Sequence, residues 1–154
     1  MLKKIISGGQ TGVDRAALDA AIRLGIPHGG WIPKGRRTEE GPLPHSYQLD
    51  EMPSESYSAR TEQNVIDSDG TLIICRDTPT GGTDYTRKMA LKHGKQMLHI
   101  DLALHRNAWE AASLVASWVE MNRIGILNVA GPRASRDPAI YAEALAIVTQ
   151  ALSG

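Results

Sequence analysis

The chain has 154 residues, 42% of them hydrophobic and 22% charged, which is typical of one folded domain and excludes a disordered chain. Lysine plus arginine equals aspartate plus glutamate at 17 each, so the formal net charge is zero and we expect no nucleic-acid partner. The single cysteine, Cys75, excludes an internal disulfide, and no apolar run has the length of a signal peptide or membrane span. We therefore expect a cytoplasmic protein without a membrane partner.

Short β-branched runs alternate with helical runs along the chain. We expect strands at 3–7, 26–31, 71–75, 96–100 and 124–129, and a short extra strand at 47–50. The expected helices cover 15–24 with Thr11 as the cap, 57–68, the segment ending at about 93, a segment opening at Asn107 with Leu114 on its apolar side, and 138–152. This alternation predicts a parallel sheet with helices on both faces.

The polar stretch 33–55 is rich in proline and glycine. So much irregular chain in a small domain is more often a functional loop than a linker. Because the alternation resumes directly afterwards, residues 1–154 are expected to form one domain.

A glycine loop, residues 7–12, joins the first strand to the first helix. Its glycines allow a ligand to approach the backbone, and the first amides of the helix have no partner in the helix itself. The loop therefore predicts an anion site formed by Gly8, Gly9, Gln10, Thr11 and Gly12. It is neither a Walker loop nor a complete dinucleotide fingerprint, because no acid stands near Trp31 to hold a ribose. The alternative is a tight turn without a ligand.

A second glycine loop repeats this design after the strand at 71–75. Thr80, Gly81, Gly82 and Thr83 open the next helix, and the alternative is a simple glycine hinge. Because the carboxyl ends of parallel strands meet at one edge, both helix N-termini are expected to face one crevice, which suits a multiply charged anion.

Cations near these loops form a candidate basic lip. Lys34, Arg36 and Arg37 follow the second strand, and Arg133 follows Gly131 after the last strand. A solvated face is an equally good interpretation of this charge run. The same alternatives apply to Arg60 and Asn64, which share a face of the predicted helix.

No side chain stands out as catalytic. The five histidines lack the spacing of metal ligands, so no metal site is expected, and Cys75 is expected to be a core residue. Asp14 and Asp84 are among the acids near loops that could act as a general acid or base, but nothing in the sequence selects one.

Five segments together resemble the molybdenum carrier family. They are residues 8–16, 30–37, 60–71, 81–83 and 128–133, in order along nearly the whole chain. The resemblance implies an α/β fold, a three-layer α/β/α Rossmann-like sandwich with a mostly parallel central sheet, related to the YpsA-like, SLOG and lysine-decarboxylase-like proteins. It also implies a homo-oligomer, dimer or tetramer, that binds molybdenum cofactor.

The related cytokinin-activating enzymes carry P-G-G-x-G-T-x-x-E, whose glutamate is catalytic. Here residues 80–86 read Thr-Gly-Gly-Thr-Asp-Tyr-Thr, without a glutamate, which favours binding over turnover. We therefore expect a carrier of a phosphate-bearing small molecule, with molybdenum cofactor or a molybdenum oxyanion as cargo. The alternatives are a phosphoribohydrolase-like enzyme acting on nucleotides, a sensor of a nucleotide-derived ligand, or an interaction module with an empty crevice.

Overall fold

The computed structural model describes residues 2–154. Its nine strands are β1 Lys4–Ile6, β2 His28–Gly29, β3 Trp31–Ile32, β4 Arg37–Thr38, β5 Gly41–Pro42, β6 Asp50–Glu51, β7 Gly70–Cys75, β8 Gln96–Asp101 and β9 Ile126–Ala130. Its five helices are α1 Val13–Leu24, α2 Tyr57–Asp67, α3 Gly81–Lys92, α4 Ala108–Met121 and α5 Ile140–Leu152. Within these residues, no helix is at once long enough and apolar enough to cross a membrane.

The central sheet has five strands in the order β2-β1-β9-β7-β8, and every pairing in it is parallel. Helix α5 packs on both α1 and α4, whereas α2 and α3 form a separate pair. The expected three-layer α/β/α Rossmann-like fold is therefore confirmed.

The main core forms where α1, α4 and α5 meet the sheet. All six residues of β7 are buried, as expected of a parallel strand that is covered on both faces. Small side chains on α1, such as Ala17 and Ala21, are fully buried and allow close contact between helices. A second, smaller cluster of Leu18, Ile32, Leu43 and Leu49 lies under the 33–55 segment. This segment is therefore a packed part of the domain.

The second strand differs from the expectation. It is split at Gly30, whose φ of 123° disfavours any residue with a side chain. Only His28–Gly29 joins the central sheet, and Trp31–Ile32 pairs instead with Asp50–Glu51. The extra strand therefore exists, but it begins at the last residue of the stretch in which it was expected.

Two local expectations are wrong. Thr11 does not cap α1, because its hydroxyl donates to Glu39 and accepts from the Ala134 amide, and Gly12 takes the capping position. Leu114 does not belong to the apolar side of α4, since it is 43% exposed. Gly25 ends α1 in the left-handed conformation, with a φ of 69°.

A substitution at Gly131 tests whether the loop after β9 must lie as close to β7 and α1 as it does. A Cβ atom there would overlap the carbonyl oxygen of Ile74 and lie 2.6 Å from Cγ2 of Val13. We predict that Gly131→Ala lowers the free energy of unfolding by about 1–3 kcal/mol, the usual cost of overpacking. Gly82→Ala is the matched control, because a Cβ there meets no atom within 4 Å. Equal urea midpoints for the two variants would contradict this prediction.

Candidate functional site

The carboxyl ends of β1, β7 and β9 open on one cavity of about 620 Å³. The loop after β1 contributes Gly8 and Gln10, the loop after β7 contributes residues 78–83, and the loop after β9 contributes residues 131–133. Side chains of α2, including Tyr57 and Arg60, also line it. The sheet order explains the convergence, because these three strands are neighbours. The chain runs from β1 to β2 on one side of them and from β7 to β8 on the other, so the loops after β1 and β7 part at this point.

Close backbone contacts fix the loops to one another. The Val13 amide donates to the Pro132 carbonyl at 3.3 Å, and a Cβ on Gly12 would overlap that same carbonyl oxygen. Glu39, at the tip of the β4–β5 hairpin, accepts from Thr11 and from the Ser135 amide at 3.2 Å. The backbone of the loop after β9 and the β4–β5 hairpin therefore cover the start of α1.

Three amides of the first glycine loop are already engaged. Those of Gly9, Gln10 and Thr11 donate to the side chains of Ser7, Asp14 and Gln10, at 3.4, 3.3 and 3.0 Å. These three N–H groups therefore serve the loop itself, although the sequence suggests that they point at a ligand.

The second glycine loop is open. Thr80 caps α3 through its carbonyl, which accepts from Thr83 and Asp84 at 3.1 and 3.2 Å, and its side chain makes no capping bond. In the part of the chain that the structure describes, the amides of Gly81 and Gly82 have no hydrogen-bond partner. Both glycines line the cavity and leave it clear of side-chain atoms. The positive end of α3 is therefore accessible to an anion.

Two buried charges also line the cavity. The Arg60 side chain donates from Nη1 to the Gly8 carbonyl and from Nε to Thr61 Oγ1 at 3.4 Å, and Arg60 is 7% exposed. Its guanidinium lies 5.5 Å from the centroid of the Tyr57 ring. Asp14 is 8% exposed and is also at the cavity. Burial raises the pKa of Asp14 to about 6, although Arg60, the Gln10 amide and Arg15 oppose this rise.

Two of the other arginines that line the cavity, Arg76 and Arg133, have carboxylates close by. Arg76 lies between two carboxylates, with Nε 2.8 Å from Asp137 and a second contact to Glu143. Arg133 has its Nε 3.5 Å from Glu39. Arg136 is exposed and lines the same cavity.

The structure brings some of the predicted site residues together and separates others. Those at the cavity are Gly8, Gln10, Thr80, Gly81, Gly82, Thr83, Gly131 and Arg133. Those outside its lining are Gly9, Thr11, Gly12, Lys34, Arg36 and Arg37. Gly9 instead packs toward the small core, where a Cβ would lie 3.0 Å from Ile32 Cδ1.

The cations after the second strand mainly organise the 33–55 segment. Arg36 donates to the carbonyls of Leu43, Pro44 and Tyr47 at 2.9, 2.9 and 2.6 Å. Arg37 lies 4.6 Å from the Tyr57 ring centroid, and Lys34 is exposed.

The helical pair Arg60 and Asn64 divides between two roles. Arg60 reaches the cavity as a buried cation, which the i, i+4 spacing alone did not reveal. Asn64 also lines the cavity, but its amide bonds both the N–H and the carbonyl of Trp31, at 2.8 and 3.1 Å. Asn64 therefore orients β3.

Cys75 behaves as a core residue. Burial raises the pKa of its thiol to about 11, and the carboxylates of Asp101 and Asp77 act in the same direction. The thiol is therefore neutral at physiological pH, with Sγ 3.2 Å from His99 Nε2. Residues 2–154 contain no group of three His, Cys, Asp or Glu side chains that could hold a metal ion.

The fold and the cavity together define a Rossmann-like α/β protein with a ligand-sized crevice at the topological switch point of its sheet. Residues 5–152 match the model of the circularly permutated YpsA SLOG family, and the chain belongs to that family. The family resemblance found in the sequence is thereby confirmed.

A solved structure is similar over almost the whole chain. It is the crystal structure of a "Putative molybdenum carrier protein" from Syntrophus aciditrophicus SB, with 52% sequence identity and a TM-score of 0.94. The alignment covers 98% of this chain and 95% of that one. No curated protein matches the chain.

The raised pKa of Asp14 predicts how stability depends on pH. At a pH below its ordinary value of 3.8, the carboxyl is protonated in both the folded and the unfolded protein. As pH rises through about 6, the folded protein must hold a buried charge, so this contribution to stability is lost. Asp14→Asn should therefore be more stable than the wild type at pH 8, by roughly 3 kcal/mol, and the gain should vanish near pH 4.

Urea unfolding of both proteins across this pH range measures the effect. The asparagine oxygen can still accept from the Gln10 amide, so the local turn is preserved. A difference between the two proteins that is the same at every pH would contradict the assignment of the titration to Asp14.

Proposed function

We propose that this protein is a carrier that binds a phosphate-bearing small molecule in the cavity at the carboxyl ends of β1, β7 and β9. The observation that supports the proposal is the open N-terminus of α3, where Gly81 and Gly82 line the cavity and their amides have no partners in residues 2–154. Amides at a helix N-terminus are suited to an anion, both by their direction and by the helix dipole.

Neighbouring donors complete the proposed phosphate site. Thr80 and Thr83 line the cavity beside the glycines, and Arg133 lines it from the loop after β9. Each hydrogen bond to a charged group contributes on the order of 1.5–3 kcal/mol. Association costs about 4–15 kcal/mol, so several of these contacts together are needed to hold a ligand.

We propose molybdenum cofactor, or a molybdenum oxyanion, as the cargo. The name of the 52%-identical relative supports a molybdenum-containing cargo. The donors at the cavity are N–H and O–H groups, which suit the oxygens of a phosphate or an oxo-anion. A volume of about 620 Å³ also lies in the range of small-molecule sites.

A charge placed at the helix N-terminus tests the phosphate site. We predict that Gly82→Asp weakens the binding of phosphate-bearing ligands at least tenfold, because its carboxylate repels the anion and competes for the amides. Folding should be retained, since a Cβ at Gly82 meets no atom within 4 Å and an acid is favoured in the first turn.

Gly82→Asn is the matched control, because it has the same shape without the charge. Isothermal calorimetry compares the three proteins with AMP, ADP, NAD, molybdate and molybdenum cofactor. Equal affinities for Gly82→Asp and Gly82→Asn would place the anion elsewhere. If no ligand of the panel binds the wild type, the interaction-module alternative gains and the carrier proposal fails.

One observation favours an enzyme as a second candidate. Asp14 is a buried carboxyl in the cavity with a pKa of about 6, which is suited to a general acid or base near neutral pH. Asp84 is a weaker candidate, because it lies 2.7 Å from Arg87, whose hydrogen bond lowers its pKa. Release of a base or of ribose phosphate from nucleoside monophosphates would support the enzyme.

A homo-oligomer, dimer or tetramer, and a cytoplasmic location are also proposed. Large apolar side chains at Leu104, Trp109 and Met121 are exposed on the isolated chain, which supports association. The one cysteine is free, in keeping with a reducing compartment. Light scattering would measure the oligomeric state, and a monomer would contradict association.

A further inference from the structure

The side chain of Arg60 is largely buried, but its guanidinium is only partly paired and keeps contact with the open space of the cavity. Its Nη1 is held by the Gly8 carbonyl and its Nε by Thr61, but Nη2 has no hydrogen-bond partner in the described chain. None of the carboxylates in residues 2–154 forms a salt bridge with this guanidinium. A buried charge is costly unless it is paired, so the guanidinium is poised for an anion from outside the chain.

The position of Arg60 makes such an anion accessible. Arg60 lines the cavity from α2, whereas the open amides of Gly81 and Gly82 line it from α3. Within residues 2–154, Tyr57 is the one aromatic residue found near the Arg60 guanidinium, and its ring centroid lies 5.5 Å from Cζ.

We propose that Arg60 is a second anion-binding point in the cavity, so that the ligand carries two acidic groups, one at α3 and one at Arg60. This inference rests on the proposed function, because it adds a contact to the same site. It narrows the ligand to compounds with two separated acidic groups, such as a phosphate together with a second phosphate, a carboxylate or an oxo-anion.

Asp14 adds a proton to this binding event. Asp14 and Arg60 both line the cavity, and both contact the first glycine loop, Asp14 at the Gln10 amide and Arg60 at the Gly8 carbonyl. An anion that binds Arg60 removes part of the attraction that keeps Asp14 charged. The other charged groups around them are Arg15 on the same helix and, at the cavity, Arg76, Arg133, Arg136 and Asp137. Binding at Arg60 should therefore be accompanied by proton uptake at Asp14.

Selenate is the probe for both points, because it is a tetrahedral oxyanion with a constant charge near neutral pH. Crystals of the full chain soaked in selenate should give two anomalous peaks, one at the amides of Gly81 and Gly82 and one at the Arg60 guanidinium. A peak at α3 alone would overturn this inference and leave the proposed function intact. No peak in the cavity would overturn both, and a peak at Arg60 alone would overturn the phosphate site at α3.

Variants in solution separate Arg60 from general charge effects. Arg60→Met should lose the second selenate ion, with affinity there falling about ten- to a hundredfold, whereas Arg60→Lys should retain it if its fold is intact. Arg23→Met is the matched control, because Arg23 is exposed and lies outside the cavity. Unchanged binding in Arg60→Met would overturn the inference.

Calorimetry in buffers of different ionisation enthalpy measures the proton. The wild type should take up as much as one proton per chain on binding selenate near pH 7, and Asp14→Asn should take up none. Equal proton uptake by the two proteins would overturn the role of Asp14, and the crystal experiment still decides the role of Arg60 by itself.

Discussion

The close approach of backbone segments at the carboxyl edge of the sheet is the constraint on which the site depends. Gly131 lies against the Ile74 carbonyl, and Gly12 lies against the Pro132 carbonyl, so two loops separated by more than a hundred residues are joined without side chains between them. The parallel strand order brings β1, β9 and β7 side by side. Without these contacts, the donors on α2 and α3 would not share one cavity.

The electrostatics of the cavity are set more by burial than by the number of cations. Arg76 and Arg133 have acidic neighbours, whereas Arg60 is nearly buried and lacks a carboxylate in contact. Desolvation acts on Arg60 and Asp14 in opposite directions, lowering the pKa of the first and raising that of the second. Burial therefore destabilises the charged form of each group, and a ligand with complementary groups would stabilise it.

The fold and the convergence of the glycine loops could be predicted from the sequence, because strand and helix periodicity and the direction of parallel strands fix both. The roles of the cations could not. Arg36 and Arg60 are both arginines near loops, yet one bonds the carbonyls of its own segment and the other is buried at the cavity. Their difference depends on burial and on contacts far apart in sequence, such as Gly8 with Arg60, which no local pattern contains.

The two glycine loops look alike in sequence but differ in what they leave free. In the first, side chains of Ser7, Asp14 and Gln10 accept the loop amides, and the Pro132 carbonyl accepts that of Val13. In the second, the Thr80 side chain makes no cap, and the first amides of α3 stay open. Side chains of the chain itself, including the Asp14 carboxylate, thus take up amides of the first loop, whereas the first two amides of α3 have no partner and are available to an anion.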